Sequence, residues 1–252
     1  MPKPLKDVFG LAVNHPSSTL HEASICFYEE KNQRAEEYIR SLKLKEGELE
    51  QAIQNCISAA PHAFEPKYQI ELLRAALFGR YFDEYANAQP YVEMAQTIRV
   101  LNAIREYQIG LPLTYDQYEA LTPAVVISRL IVRRHFAIAI EISKYLNMSN
   151  EEGIIKILSN WAQFKVEQTD IDDDKIAIMI KSKLGDTPGI SYADIARCAI
   201  TAGRPGLAIK LLEYETRASE QVPLYIEIDN PDLALRKAME SGDSDLSKFI
   251  KI

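Results

Sequence analysis

Glycine and cysteine are both scarce in this sequence, and each shortage limits what the chain can be. Only 10 of 252 residues are glycine, which favours helix. The three cysteines (Cys26, Cys56 and Cys198) lie far apart, and none has a CxxC or metal-binding spacing. No apolar run reaches the roughly 18 residues that a membrane-spanning helix needs, and the opening MPKPLKDVFG lacks the apolar core of a signal peptide. These absences predict a reduced, cytoplasmic setting.

Sequence patterns for catalysis or for cofactor and metal binding are lacking as well. No glycine-rich phosphate loop, nucleophile elbow or carboxylate pair is visible, and the four histidines are scattered. The acidic run Asp170–Asp174 lacks the glycine and the distal glutamate of a calcium loop, so we interpret it as a solvated helix N-terminus. The net charge of −7 argues against nucleic-acid binding. The sequence predicts no catalytic residue, no cofactor, no metal and no enzyme activity.

The clearest helix signals in the sequence lie in the stretch Ile190–Arg217. Ser191 is placed to cap a helix, Gly203 to end it in a left-handed conformation, and Pro205 to open the next one. Two apolar stripes at helical spacing flank this turn: Tyr192, Ile195, Ala199 and Ala202, then Leu207, Ala208, Leu211, Leu212 and Tyr214. The stretch therefore predicts a helical hairpin, which is the unit of an α-solenoid.

The rest of the chain extends this pattern from Ser17 onward. Thr19 with Glu22 resembles a capping box, Pro66 opens a helix that Gly79 ends, and Pro223 opens a late one. The segments Arg129–Tyr145 and Arg197–Tyr214 are loosely alike, and their Ala-Ile pairs begin 69 residues apart, or two repeats of about 35 residues.

We predict an all-α fold, an α-solenoid of irregular antiparallel helix-turn-helix repeats with about 12–15 helices. It would form one segment over residues 1–252, with poor order at residues 1–16 and at the last few residues. The chain breaks off soon after Asp245, in what looks like a further helix, so we expect a fragment of a longer protein.

One basic patch is a candidate partner-binding site. Arg129 and Arg133 lie four residues apart on one helical face, and Arg134 follows them. Such a face could receive an acidic partner, although ordinary surface charge explains the same residues.

Four sequence blocks resemble a known family. Leu72–Phe82 (the weakest match), Ile98–Thr122, Lys183–Leu224 and Ala238–Leu246 are similar, in this order, to the vacuolar protein sorting sixteen family of the HOPS and CORVET (class C) tethering complexes. The resemblance implies the first part of that family's α-solenoid. It also implies the other class C tether subunits as partners, and an SM-family (SNARE-chaperoning) subunit gripped mainly by sequence downstream of this chain. Membrane association would be indirect, on endosomes, lysosomes or vacuoles.

Three hypotheses follow. The favoured one is a non-enzymatic scaffold in membrane tethering, vesicle fusion and intracellular protein transport. The second is a helical-repeat adaptor that binds an acidic or extended peptide along the Arg129/Arg133 face. The third, a helical enzyme, is disfavoured because no polar side chains converge.

Overall fold

The computed structural model is all-α. It describes residues 1–10, 14–31, 33–83, 87–185, 187–243 and 245–246, and in these ranges it has fourteen α-helices and no strand. The helices are α1 (Lys3–Phe9), α2 (Pro16–Ile25), α3 (Arg34–Lys43), α4 (Glu48–Ala59), α5 (Pro66–Tyr81), α6 (Gln89–Arg105), α7 (Tyr115–Val132), α8 (Phe136–Tyr145), α9 (Lys156–Val166), α10 (Asp173–Leu184), α11 (Tyr192–Thr201), α12 (Pro205–Leu212), α13 (Ala218–Glu227) and α14 (Pro231–Ser241). The predicted fold class is confirmed.

The chain divides into two compact units, Met1–Thr122 and Pro123–Ile252. The boundary lies inside α7, where Thr122 has a non-helical backbone (φ 63°, ψ 154°). Each unit has its own apolar core. A single segment over residues 1–252 stays a prediction from the sequence.

In the first unit, α2 packs against α3, α4 and α5. Gly79, on α5, lies where these helices meet. A Cβ at this position would come within 2.8 Å of Ile53 Cγ1 and 2.9 Å of Leu20 Cδ2. Since both neighbours are buried and real Cβ contacts are longer, only glycine lets α5 approach so closely.

In the second unit, consecutive helices form hairpins and alternate helices stack. The hairpins are α11–α12 and α13–α14, while α9 packs on α11, α11 on α13, and α10 on α12. The helices therefore lie in two layers, as in a solenoid that buries a shared core between neighbouring repeats.

The hairpin predicted at Ile190–Arg217 is confirmed as α11 and α12. Ser191 Oγ accepts a hydrogen bond from Asp194 N–H (3.1 Å), Gly203 has φ +73°, and Pro205 opens α12. The alanines at the crossing are fully buried: Ala196, Ala199 and Ala208. Ala202, which we placed on the apolar stripe, is exposed because it is already the residue that ends α11.

The two segments of the loose repeat share one type of backbone turn. After α11, Gly203 N–H bonds Ile200 O and Arg204 N–H bonds Ala199 O, each at 2.9 Å. After α7, the turn at Arg134 (φ 65°) repeats this pattern: Arg134 N–H bonds Ile131 O (2.8 Å) and His135 N–H bonds Leu130 O (2.9 Å). Both turns satisfy the last carbonyls of the preceding helix.

Three predicted boundaries are wrong. Helix α2 begins at Pro16 instead of near Thr19, and the side chain of His15 caps it by accepting from Ser17 N–H. Gly79 is a packing position, and α5 continues to Tyr81. Pro223 lies inside α13, which begins at Ala218.

The predicted poor order at residues 1–16 overlaps a regular element. Lys3–Phe9 forms α1 and buries Leu5 and Val8 against the first core. Residues 11–13 and 247–252, also covered by that prediction, lie outside the described residues.

Candidate interaction surfaces

The three arginines predicted to bind a partner lie near the α7–α8 turn, and all three are exposed. Arg129 and Arg133 are one helical turn apart, and the Arg134 guanidinium lies 4.3 Å from the centroid of the Phe164 ring. Lys165 Nζ lies 5.7 Å from the same ring. We call Arg129, Arg133 and Arg134 the arginine patch. Positive charge beside an aromatic ring suits a carboxylate-bearing peptide.

Carboxylates of the acidic run Asp170–Asp174 form hydrogen bonds and ion pairs with other residues of the chain. Asp172 caps α10 by accepting from Asp174 N–H (3.2 Å). Asp174 pairs with Lys210, and Asp173 pairs with Arg204. The interpretation as a helix N-terminus is confirmed, but Asp173 is held in an ion pair instead of being fully solvated.

Arg204 ties three helices together, a role that sequence reasoning missed. Its side chain is 13% exposed and forms the ion pair with Asp173. Its terminal nitrogens also donate to three backbone carbonyls, at 2.7–3.0 Å: Val166 O, Gln168 O and Ile171 O. The start of α12 is thereby fixed to the segment between α9 and α10. Only a planar guanidinium can donate in so many directions at once.

Glu215 is a buried carboxylate at the end of the α11–α12 hairpin. It accepts hydrogen bonds from the N–H groups of Ala193 (3.1 Å), Thr216 (3.1 Å) and Arg217 (3.2 Å), and from Arg217 Nε (3.2 Å). Burial alone would raise the pKa of Glu215, but the hydrogen bonds from Ala193 and Arg217 outweigh it and lower the pKa below 4.5. A cleft of about 420 Å³ beside it is lined by both aromatic rings of the hairpin, Tyr192 and Tyr214. Because its carboxylate is already satisfied, we assign Glu215 to fixing the start of α11.

The first unit carries an exposed aromatic cluster that sequence reasoning also missed. Five side chains form what we call the aromatic surface: Phe27, Tyr28, Phe78, Tyr81 and Phe82. Their neighbouring ring centroids lie 5.0–6.1 Å apart. Phe78 is buried, whereas Phe27, Tyr28 and Tyr81 are 51%, 41% and 86% exposed. A signal was present, since Phe27-Tyr28 and Tyr81-Phe82 are adjacent aromatic pairs, but adjacency does not show which faces meet.

Two further features of the described residues bear on function. They contain no group of three or more histidine, cysteine, aspartate or glutamate side chains arranged to hold a metal ion. Within the same ranges, each helix is too short or too polar to cross a membrane.

Comparison with known proteins identifies the family of this chain. Two family models match: the Vps16 N-terminal region over residues 1–93 and the Vps16 C-terminal region over residues 190–252. Over 95% of its length, the chain is 43% identical to the vacuolar protein sorting-associated protein 16 homolog of Dictyostelium discoideum. The chain belongs to the Vps16 family. Two further relatives, each aligned over 98% of the chain, are the Drosophila melanogaster homolog (39% identical) and the Arabidopsis thaliana protein VACUOLELESS1 (37%).

The chain spans 28–29% of the length of these Vps16-family relatives. The N-terminal match includes the aromatic surface, and the C-terminal match includes the α11–α12 hairpin with Arg204 and Glu215. The arginine patch lies between the two matched regions.

Proposed function

We propose that this chain is a non-enzymatic scaffold and interaction segment that acts in vacuolar protein sorting. More specifically, it would belong to a class C membrane-tethering complex, HOPS or CORVET, and serve vesicle fusion and intracellular protein transport. Its place would be the cytoplasmic face of endosomes, lysosomes or vacuoles, reached through the complex. The support is its Vps16-family membership, since the named relatives are vacuolar protein sorting proteins.

One structural observation carries the scaffold role: the hairpin layers of the second unit. Stacked helices hold distance and orientation through a shared core, and the polar groups within that core bond to other parts of the chain. Arg204 and Glu215 illustrate this, because both use their hydrogen bonds to fix one helix against another. We infer that the partners bind outer surfaces and that the core supplies rigidity.

A pull-down tests this proposal. The chain, immobilised, is offered each class C tether subunit and the SM-family subunit separately, with the complete protein in parallel. We expect it to retain at least one class C subunit, and the SM-family subunit to need the complete protein. Retention of no tether subunit by a folded chain, where the complete protein retains them, would contradict the proposal.

A second candidate function is a peptide adaptor that uses the arginine patch. The observation that favours it is the exposure of all three arginines, with Arg134 over Phe164. Reversing the charge of Arg129 and Arg133 to glutamate would then abolish binding of an acidic peptide and leave the melting temperature unchanged. Unchanged peptide binding would remove this candidate.

A further inference from the structure

The aromatic surface lies above two adjoining clefts in the first unit. Each has a volume of about 600 Å³, and both are walled by Phe27, Phe78 and Phe82. Below Phe27, the first cleft reaches the buried side chains of Ala35 and Ile39 on α3. Contiguous exposed aromatic area of this kind is uncommon on a surface that meets only water.

The charge around these clefts is opposite in sign to that of the whole chain. Among their described lining residues, four are cationic and one, Glu36, is anionic; the cations are Lys31, Arg40, Lys43 and Arg80. The chain as a whole carries a net charge of −7. A cationic rim around an apolar floor therefore favours an occupant that is apolar on one side and acidic at its flanks.

Two of these cations lie against aromatic rings in or beside the clefts. Lys43 Nζ lies 5.9 Å from the centroid of the Phe82 ring, and the Arg80 guanidinium lies 5.8 Å from that of Tyr91. Both side chains therefore place positive charge beside aromatic rings in or next to the clefts.

We propose that the aromatic surface is a docking groove for an acidic amphipathic helix of a partner protein. Bulky apolar side chains at i, i+3 or i+4, and i+7 would enter the two clefts, which share walls and so suit anchors one helical turn apart. Glutamate or aspartate at the flanks of that helix would pair with Lys31, Arg40 and Lys43. The proposal does not depend on the tethering role, because a peptide tests the groove directly.

The experiment measures fluorescence anisotropy of a labelled synthetic helix of about 18 residues, with leucine or phenylalanine at every third or fourth position and glutamate at the flanks. Its matched control has the same apolar positions with lysine at the flanks. We expect the acidic helix to bind the chain with a Kd below about 100 μM, and the basic helix to bind at least tenfold more weakly. Equal binding of both helices, or no binding of either, would overturn the proposal.

Variants locate the binding site. Tyr81→Ala removes an 86% exposed ring, so the fold should tolerate it, and we expect about tenfold weaker binding. The double reversal Lys31→Glu with Arg40→Glu should weaken binding about fivefold at low salt and flatten its salt dependence. The control is Met239→Ala in the second unit, which removes a 70% exposed side chain that is part of neither candidate surface. The pair Arg129→Glu with Arg133→Glu tests the arginine patch as an alternative site for the same helix.

Three outcomes would contradict the assignment. Loss of binding in the Arg129→Glu, Arg133→Glu variant, but not in the groove variants, would place the acidic helix on the arginine patch. A concentration-dependent dimer that Tyr81→Ala dissolves would show that a second copy of the chain covers the surface. Binding of the chain to anionic phosphatidylserine vesicles that is lost in the groove variants would show that the occupant is a membrane.

Discussion

At the scale of single residues, small side chains decide how closely α11 and α12 approach. Ala196, Ala199 and Ala208 are fully buried at the crossing, and any larger or charged group there must displace a helix. The proposed rigid scaffold therefore depends on residues whose side chains carry no reactive or charged group.

Replacing one of these alanines by aspartate should unfold the hairpin. Ala199→Asp buries an unpaired charge, and we expect a loss of about 3 kcal/mol or more in the free energy of unfolding. The melting temperature, followed by circular dichroism, should fall by about 10 °C. Ala202→Asp is the matched control, because Ala202 is the residue that caps the same helix at its C-terminal end and is exposed. Superimposable melting curves for the two variants would mean that the crossing is misassigned.

The carboxylate of Glu215 predicts a dependence of stability on pH. Its pKa in the folded chain is lowered below 4.5, so it stabilises the fold above about pH 4.5, and this contribution is lost as the pH falls through the folded pKa. Glu215→Gln should cost about 1–2 kcal/mol at pH 7 and much less at pH 3. Urea unfolding at both pH values measures the difference, and Glu213→Gln, at an exposed position of the same hairpin, is the control. A cost that is equal at both pH values would contradict this account.

At the scale of elements, Arg204 is expected to be essential to the joint between α9, α10 and α12. Arg204→Lys keeps the charge but loses the planar fork, and we expect a cost of about 2–3 kcal/mol in the free energy of unfolding. Arg197→Lys is the comparison, since its ion pair with Asp194 is exposed and should contribute less than about 1 kcal/mol. Equal urea midpoints for the two variants would show that the buried hydrogen bonds of Arg204 contribute little.

The helices themselves could be predicted from the sequence wherever local chemistry and burial agree. Helix α11 is capped by Ser191 and ends just before Gly203, and α12 begins at Pro205, as local rules require. Pro223 departs from those rules, because it lies inside α13 and not at its start. Its neighbours Val222, Leu224 and Tyr225 are almost fully buried, and that burial offsets a proline cost of about 3 kcal/mol.

The candidate sites were harder to predict than the helices. Charge spacing along one helix placed Arg129 and Arg133 on a common face, and the structure leaves both exposed. The aromatic surface joins residues about 50 positions apart in the sequence: Phe27 and Tyr28 lie in the π-helical turn Cys26–Glu30 after α2, and the others lie on α5 or directly after it. Likewise, Arg204 contacts Asp173 only because α10 packs on α12. Periodicity within one helix carries no information about such pairings.

At the scale of the whole molecule, a supporting core is distinct from two candidate binding surfaces. The second unit's hairpins provide the support, while the aromatic surface and the arginine patch differ in chemistry and lie in different units. An acidic helix with bulky apolar anchors is expected at the first, and an extended acidic peptide at the second. A scaffold with two surfaces of different selectivity could bind more than one partner at a time.

Assembly of the complex by the complete protein is the most direct test of the central claim, that packed helical hairpins orient partners in a tether. Ala199→Asp and Ala202→Asp are introduced separately into the complete protein, and the class C subunits that co-purify with it are quantified. We expect Ala202→Asp to retain them and Ala199→Asp to lose them. If Ala199→Asp melts the isolated chain while the complex still assembles in full, the claim that this core orients the partners is contradicted.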